Sequence, residues 1–165
     1  MFFQTSSAGL ALIKKWEGCY SYAYHCPAGV LTIGYGHTNL ANQPPRVVEG
    51  MTITRDQAHE ILVSDLRLHE RRVNQLVEVD LTQAQFDVLV SFDFNTGALE
   101  KSTLLRKLNA GDYDAVPREL MRWTKGGGRT LQGLVNRRGD EARMWCSHED
   151  APPLAAVSSE DIPSP

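Results

Sequence analysis

The fold is decided by the stretch from Trp16 to His37, which reads WEGCYSYAYHCPAGVLTIGYGH. Tyrosine, valine, isoleucine and threonine favour β-strands, and Pro27-Ala28-Gly29 lies between two groups of these residues as a turn signal. The stretch therefore predicts a small antiparallel hairpin over residues 19–37.

A short helix is predicted directly before this hairpin, over residues 8–16. Its apolar residues recur at the spacing of one helix face. Ser6 or Ser7 is the predicted N-cap, because a hydroxyl there accepts a hydrogen bond from a free backbone N–H of the first turn. Gly18 is the predicted stop.

The remainder of the chain is predicted to be mainly helical. Thr54-Arg55-Asp56-Gln57 and Thr82-Gln83-Ala84-Gln85 both have the form of a capping box, a reciprocal pair of side-chain caps at a helix start. The first opens a long helix to about Val77. Further helices are predicted after Ser102, after Asp112 and over residues 131–146, with a break at residues 126–128.

These elements predict an α+β protein with one domain over residues 1–146. An N-terminal helix and a small antiparallel β-sheet form one lobe, over about residues 8–54. A long helix then joins it to a mainly helical lobe, over residues 55–146. Residues 147–165 are rich in proline, serine, alanine and acid, which predicts a disordered acidic tail.

Composition restricts the class of protein. The chain has 165 residues, of which 42% are hydrophobic and 22% charged, a balance typical of soluble globular proteins. No apolar run reaches the length of about 18 residues that suggests a membrane anchor. Lys14 and Lys15 follow the first apolar stretch, which is the wrong order for a signal peptide. Three cysteines without a CxxC pair indicate a reducing compartment.

Charge is distributed unevenly along the chain. Residues 1–100 carry 7 Lys and Arg against 11 Asp and Glu, a net charge of −4. Residues 101–146 carry 10 against 5, a net charge of +5, and residues 147–165 carry 0 against 4. The total of −3 disfavours a nucleic-acid partner, although the basic segment could face another polyanion.

Glu17 is the first candidate catalytic residue. It lies in the last turn of the first predicted helix, where the negative end of the helix dipole disfavours an ionised carboxylate. A carboxylic acid kept protonated near neutral pH can act as a general acid. Taken alone, a glutamate at this position is more often a solvated helix end, so the catalytic assignment depends on the residues around it.

The neighbours resemble the catalytic signature of the phage-type lysozymes, glycoside hydrolase family 24, to which the T-even phage lysozymes belong. That motif is a glutamate, eight residues, an aspartate or cysteine, five residues and a threonine. Glu17, Cys26 and Thr32 stand at this spacing. The resemblance covers roughly residues 8–146. Its further elements are Trp16-Glu17-Gly18, Ala23-Tyr24, Thr32-Ile33-Gly34-Tyr35-Gly36-His37, Phe94-Asn95-Thr96-Gly97, Ser102-Thr103-Leu104, Leu108-Asn109-Ala110-Gly111-Asp112, Gly133-Leu134, Arg137-Arg138 and Glu141.

The resemblance implies roles for these three residues. Glu17 would protonate the leaving oxygen of a glycosidic bond, and Cys26 and Thr32 would hold the attacking water, with inversion at the anomeric carbon. Cys26 stands where most members have an aspartate. A thiolate could act there as base or nucleophile, and oxidation would turn it into a redox switch.

Further site residues are carried over from matching positions. Gly36, Thr38, Ser102 and Asn109 are candidate substrate-binding residues, Gly36 through backbone geometry near the cleft. The family places an arginine of the last helix beside its catalytic glutamate. Arg137 and Arg138 both fit that position.

No cofactor and no metal are expected. His37 and the nearby cysteines lack the ligand spacing of a zinc site, and members of the family need no metal. His37 is therefore expected to be a structural hydrogen-bonding residue.

The resemblance implies a phage endolysin with lysozyme activity. Its substrate would be the β-1,4 bond between N-acetylmuramic acid and N-acetylglucosamine in bacterial peptidoglycan. A monomer without a membrane anchor is expected, accumulating in the host cytoplasm and reaching the wall through a holin. The alternatives are a lytic transglycosylase cutting the same bond and a non-catalytic wall-binding module, which Cys26 in place of a carboxylate keeps open.

Overall fold

The computed structural model describes residues 2–147. The predicted tail therefore lies, apart from Ser147, outside the described residues. The α+β class predicted from the sequence is confirmed.

Helix α1 (Ser7–Glu17) begins at Ser6, whose side-chain oxygen accepts a hydrogen bond from the backbone N–H of Gly9 at 3.2 Å. It ends at Gly18, whose φ of 67° suits glycine. Gly9 lies against a helix of the second lobe, since a Cβ there would be 2.6 Å from Cγ of Asp87. The absence of a side chain at Gly9 thus lets the two helices approach closely.

The predicted hairpin is present, with one more strand than expected. Strands β1 (Tyr20–His25), β2 (Leu31–Gly34) and β3 (His37–Thr38) form an antiparallel sheet in the order β1-β2-β3. Only two residues form β3, too few for a period-two pattern to indicate a strand.

Helix α2 (Arg55–Leu76) follows the sheet and packs against β2, β3 and helix α3 (Gln83–Thr96). Both helices open with the predicted capping boxes at Thr54 and Thr82. Since α2 touches the sheet at one end and the helical core further along, it fixes the position of the sheet relative to that core.

The C-terminal part contains α4 (Thr103–Asn109), α5 (Val116–Leu120), β4 (Lys125–Gly126), β5 (Arg129–Thr130) and α6 (Gln132–Cys146). Two expectations are corrected here. Asp112 caps a single 3-10 turn that precedes α5, and not α5 itself. The break at residues 126–128 is part of a short hairpin, in which Gly127 and Gly128 have the positive φ angles of a tight two-residue turn.

Helix α3 lies at the centre of the core and contacts α1, α2 and α6. It is buried on all sides, including three polar residues that therefore require internal partners. These are Asp87, Ser91 and Asp93. Ser91 faces α6 and helps to hold the candidate active site through hydrogen bonds to Arg137 and Glu141.

Candidate active site

Glu17 is the last residue of α1, and its side chain is one-fifth exposed. Its Oε1 accepts a hydrogen bond from Nη1 of Arg137 at 2.6 Å. Its Oε2 lies beside the turn between β2 and β3, where a Cβ on Gly36 would be 3.5 Å away. The carboxyl group is therefore held between α6 and the sheet, with one side open to solvent.

Arg137 is the arginine that pairs with Glu17. It is buried, and four acceptors on three helices fix its guanidinium group. Besides Glu17, these are Glu141 Oε1 and both the carbonyl oxygen and the hydroxyl of Ser91, each at 3.3 Å. Such a fully paired guanidinium cannot swing away from Glu17 without leaving buried charges unpaired.

Arg138, the other candidate, does not contact Glu17 directly. It is fully buried, donates to the carbonyl oxygen of Trp123 at 3.1 Å, and pairs with Glu141 and Asn95. Burial lowers its pKa, which the charge of Glu141 opposes. Arg138 therefore anchors Glu141, which in turn holds Arg137.

Cys26 lies in the turn after β1 and is partly exposed. The turn closes through a hydrogen bond from the N–H of Gly29 to the carbonyl oxygen of Cys26 at 2.7 Å. The backbone N–H groups of Val30 and Ala28 lower the pKa of the thiol, partial burial opposes them, and the hydroxyl of Thr32 adds to the lowering. The turn is thus arranged to stabilise a thiolate.

Thr32 is a buried residue of β2. Its hydroxyl oxygen lies 2.9 Å from the carbonyl oxygen of Val30. Because a hydroxyl carries a single proton, Thr32 can donate either to that carbonyl or to the sulfur of Cys26. In both cases an oxygen lone pair remains to accept a hydrogen bond from a water molecule.

Tyr24 is a site residue that the sequence analysis did not single out as functional. It is the register partner of Thr32, which is in turn the partner of Thr38, so the three side chains share one face of the sheet. Burial raises the pKa of Tyr24, and the charges of neighbouring groups, among them Cys26 and Glu17, raise it further. Tyr24 therefore stands close to both catalytic candidates. Tyr24 and Cys26 are two residues apart, a spacing that places side chains on the same face of a strand. This spacing could have identified Tyr24 from the sequence.

His37 and Thr38 form the edge strand β3, and their side chains point to opposite faces of the sheet. His37 is buried, with Nδ1 2.8 Å from Oδ2 of Asp65 on α2 and Nε2 2.8 Å from the carbonyl oxygen of Pro45. Thr38 caps a 3-10 turn by accepting from the N–H of Leu40. His37 thus ties β3 to α2, while Thr38 remains half-buried on the same face as Thr32.

Ser102 and Asn109, two of the predicted substrate-binding residues, both make side-chain hydrogen bonds within the fold. Ser102 is buried, donates to the carbonyl oxygen of Leu99 at 2.7 Å and accepts from the N–H of Leu105 at 3.1 Å. Asn109 donates to the carbonyl oxygen of Leu76 at 2.9 Å and accepts from the N–H of Glu78 at 3.0 Å. Both side chains are engaged in capping and in joining α4 to the end of α2.

Metal-binding groups and membrane-spanning helices are both absent from the part of the chain that the structure describes. Within residues 2–147, no three His, Cys, Asp or Glu side chains come together as a metal-binding group. Across the same residues, no helix has both the length and the apolar character needed to cross a membrane.

Comparison with known proteins matches this geometry to a family. The family model for phage lysozyme matches residues 14–141. The endolysin of Acyrthosiphon pisum secondary endosymbiont phage 1 is 42% identical over 146 residues, which cover 85% of this chain and 96% of that protein. The solved endolysin of Escherichia coli O157:H7 phage FAHEc1 is 36% identical, with a TM-score of 0.80 over 88% of this chain and 95% of that one.

Some relatives are longer than this chain. The endolysin of Bacillus phage B103 is 40% identical over 148 residues, which cover 87% of this chain and 54% of that protein. This chain thus spans about half the length of that relative. The family match nevertheless spans Glu17, Cys26, Thr32 and Arg137. The chain belongs to the phage lysozyme family.

Proposed function

We propose that the protein is a muramidase-type endolysin. It hydrolyses the β-1,4 bond between N-acetylmuramic acid and N-acetylglucosamine in bacterial peptidoglycan, and so lyses the host cell. The observation that carries this proposal is the presence of two groups in one site: a carboxyl group whose position is fixed, and a thiol whose surroundings favour the thiolate. Glu17 is held by Arg137 at 2.6 Å, and Cys26 lies in a turn whose N–H groups favour its thiolate.

Glu17 acts as the general acid. It transfers its proton to the glycosidic oxygen as the bond from that oxygen to the anomeric carbon breaks. Glu17 becomes a carboxylate in this step, and Arg137 is already in place to stabilise the negative charge that develops.

Cys26 and Thr32 prepare the water. The Cys26 thiolate accepts a proton from a water molecule as its oxygen bonds to the anomeric carbon, and the hydroxyl of Thr32 orients that water. The products are a free reducing end with inverted configuration, a new hydroxyl on the leaving sugar and a thiol at Cys26. Proton exchange with solvent then restores the thiolate and the Glu17 acid.

Three variants test these roles in lysis of outer-membrane-permeabilised Gram-negative cells. Glu17→Gln should abolish lysis, because the amide cannot supply the proton. Cys26→Ser should impair it strongly, because a serine hydroxyl stays protonated at neutral pH. Phe2→Ala, an exposed aromatic substitution outside the site, is the matched control and should lyse normally.

Mass analysis of the digested wall separates the remaining candidates. A hydrated reducing end supports the hydrolase, whereas a 1,6-anhydro end would identify a lytic transglycosylase. Wild-type protein that binds wall but releases no fragments would identify a non-catalytic binding module. Full activity of Cys26→Ser would show that Cys26 has no part in activating water.

We further propose that the protein accumulates in the host cytoplasm and reaches the wall through a holin. The support for this proposal is the family of the chain, since several relatives are named endolysins. Expression in Escherichia coli with and without a co-expressed holin tests it. Lysis should require the holin, and Sec-dependent export before lysis would contradict the proposal.

A further inference from the structure

Three tyrosines of β1 form an aromatic cluster, referred to below as the tyrosine cluster: Tyr20, Tyr22 and Tyr24. The ring centroids of Tyr20 and Tyr24 are 4.3 Å apart, and those of Tyr20 and Tyr22 are 6.2 Å apart. In a regular strand, residues four apart are separated by about 13 Å. The irregular register between Tyr20 and Tyr24 bends β1 and brings these two rings together.

The tyrosine cluster is open to solvent. Tyr20 is 42% exposed and Tyr22 is 56% exposed. Exposed aromatic side chains in mutual contact contribute less to stability than buried ones would, and contiguous apolar surface of this kind commonly marks a binding site. Core packing therefore does not explain why these aromatic side chains lie together at the surface.

The cluster is continuous with the candidate active site. Tyr24 contacts Tyr20 and is the register partner of Thr32. The charges of Glu17 and Cys26 both act on its phenol. A polymer bound across Thr32 and Cys26 would therefore meet Tyr24 first and the exposed rings of Tyr20 and Tyr22 next.

The chemistry of the cluster selects a neutral, amphipathic occupant. Residues 20–24 carry no charged side chain. A pyranose ring presents C–H groups on its faces, which pack on aromatic rings, and hydroxyl and acetamido groups at its edges, which hydrogen-bond to phenols. An anionic membrane surface or an acidic peptide stem would instead require lysine or arginine at this place.

We propose that Tyr20 and Tyr22 form a saccharide-binding subsite that holds a sugar ring of the glycan strand outside the scissile bond. The proposal rests on the proposed muramidase function and extends it from bond cleavage to recognition of the strand. It makes binding depend on strand length, since only a strand long enough to pass Tyr24 can reach Tyr20 and Tyr22.

Calorimetric titration of the full chain tests this. The probes are peptide-free glycan strands of alternating N-acetylglucosamine and N-acetylmuramic acid, graded by length, and Glu17→Gln is the background so that no strand is cut. Tyr20→Ala with Tyr22→Ala should raise Kd about tenfold for long strands and leave the shortest strand that binds unaffected. Tyr20→Phe with Tyr22→Phe should keep most of the affinity, because the ring faces remain.

Controls separate binding from folding. Phe2→Ala removes an exposed aromatic ring away from β1 and should not change Kd at any length. Thermal unfolding of each variant checks the fold. If the alanine pair is unstable, Tyr22→Ala alone replaces it, because Tyr22 is the more exposed of the two rings, and it should also raise Kd for long strands only. An unchanged Kd for long strands in the alanine pair would overturn the proposal. The proposal would also be overturned if the alanine pair changed only self-association, or only binding to neutral phosphatidylcholine vesicles, and left strand binding unchanged.

The two proposals can fail separately. If the muramidase proposal is wrong, the wild-type protein releases no fragments even where strand binding depends on Tyr20 and Tyr22. If only the subsite is wrong, wild type cleaves the wall while the alanine pair binds long strands as tightly as the parent.

Discussion

At the scale of single residues, the candidate site depends on the surroundings of the Glu17 carboxyl group and of the Cys26 thiol. Arg137 Nη1 lies 2.6 Å from Oε1 of Glu17 and is in place to stabilise the negative charge that develops when Glu17 gives up its proton. Cys26 receives N–H donors from its own turn, which lower the pKa of the thiol. The thiolate is thereby available at a lower pH than in an ordinary cysteine.

Replacing the thiol with a carboxylate should shift the pH dependence of the reaction. If Cys26 must be ionised, wild-type activity falls as pH drops through the pKa of its thiol. The carboxyl of Cys26→Asp has a usual pKa of about 3.9 and remains ionised at a lower pH. We expect the acidic limb of kcat/KM to move to lower pH by at least about one unit. An acidic limb that stays in place would show that another group sets it.

The sequence identified Glu17, Cys26 and Thr32 as candidates because their spacing is a local pattern. It left Arg137 and Arg138 undecided, because Arg137 meets Glu17 across 120 residues of chain and both arginines lie on the same helix. Only the packing of α6 against α3 turns one towards Glu17 and the other towards Trp123. Tyr24 was missed for a similar reason, since its role depends on the register of β1 against β2.

At the scale of elements, helix caps could be predicted from the sequence because a cap is a local pattern. Thr54 and Thr82 were correctly predicted as caps, because each motif lies within four consecutive residues. Ser102 was also predicted to cap a helix, and it does so. Its further assignment to substrate binding took no account of burial, which depends on the packing of α4 and is not visible in the sequence.

Ser102→Ala tests which role is correct. The variant loses the N-cap of α4 and the hydrogen bond to Leu99, so we expect the free energy of unfolding to fall by about 1–2 kcal/mol. KM should not change, because the side chain does not reach the substrate. Denaturant unfolding and steady-state kinetics on the same preparation measure both. A raised KM with normal stability would restore the substrate-binding assignment.

The link between the sheet and α2 should depend on pH through His37. Its hydrogen bond to Asp65 is the main cause that raises its pKa, burial opposes it, and the carbonyl oxygen of Pro45 adds to the increase. A raised pKa in the folded state gives a stabilisation that is complete below the unfolded value of about 6.5. This stabilisation is lost as pH rises through the folded-state pKa.

The loss of stability caused by His37→Gln should therefore be largest at low pH. The difference between wild type and variant in the free energy of unfolding should be larger at about pH 5.5 than at about pH 9. Denaturant unfolding at the two pH values measures this difference. A cost that is independent of pH would mean that His37 acts only through shape and neutral hydrogen bonds.

At the scale of the whole molecule, charge is segregated. The net +5 of residues 101–146 belongs to α4 through α6 and the segments between them, whereas residues 147–165 carry −4. Peptidoglycan carries acidic peptide stems, so the basic part should attract it at low ionic strength. The acidic C-terminal residues reduce this attraction, whatever their arrangement.

Deleting residues 149–165 removes a charge of −4 and changes the net charge from −3 to +1. We expect the shortened chain to bind purified peptidoglycan more tightly at low salt, and the difference to disappear as salt screens it. Co-sedimentation with wall at graded salt concentrations measures this. Equal binding of both forms at low salt would make the C-terminal charge irrelevant to wall affinity.

The central claim is that Glu17 and a water activated by Cys26 cleave the glycosidic bond with inversion. The most direct measurement is NMR of the reducing end released from peptidoglycan in the first moments of digestion, before the anomers interconvert. Hydrolysis with inversion should release a free α-anomer, since a β-linkage is inverted once. A β-anomer, or a 1,6-anhydro end, would contradict it.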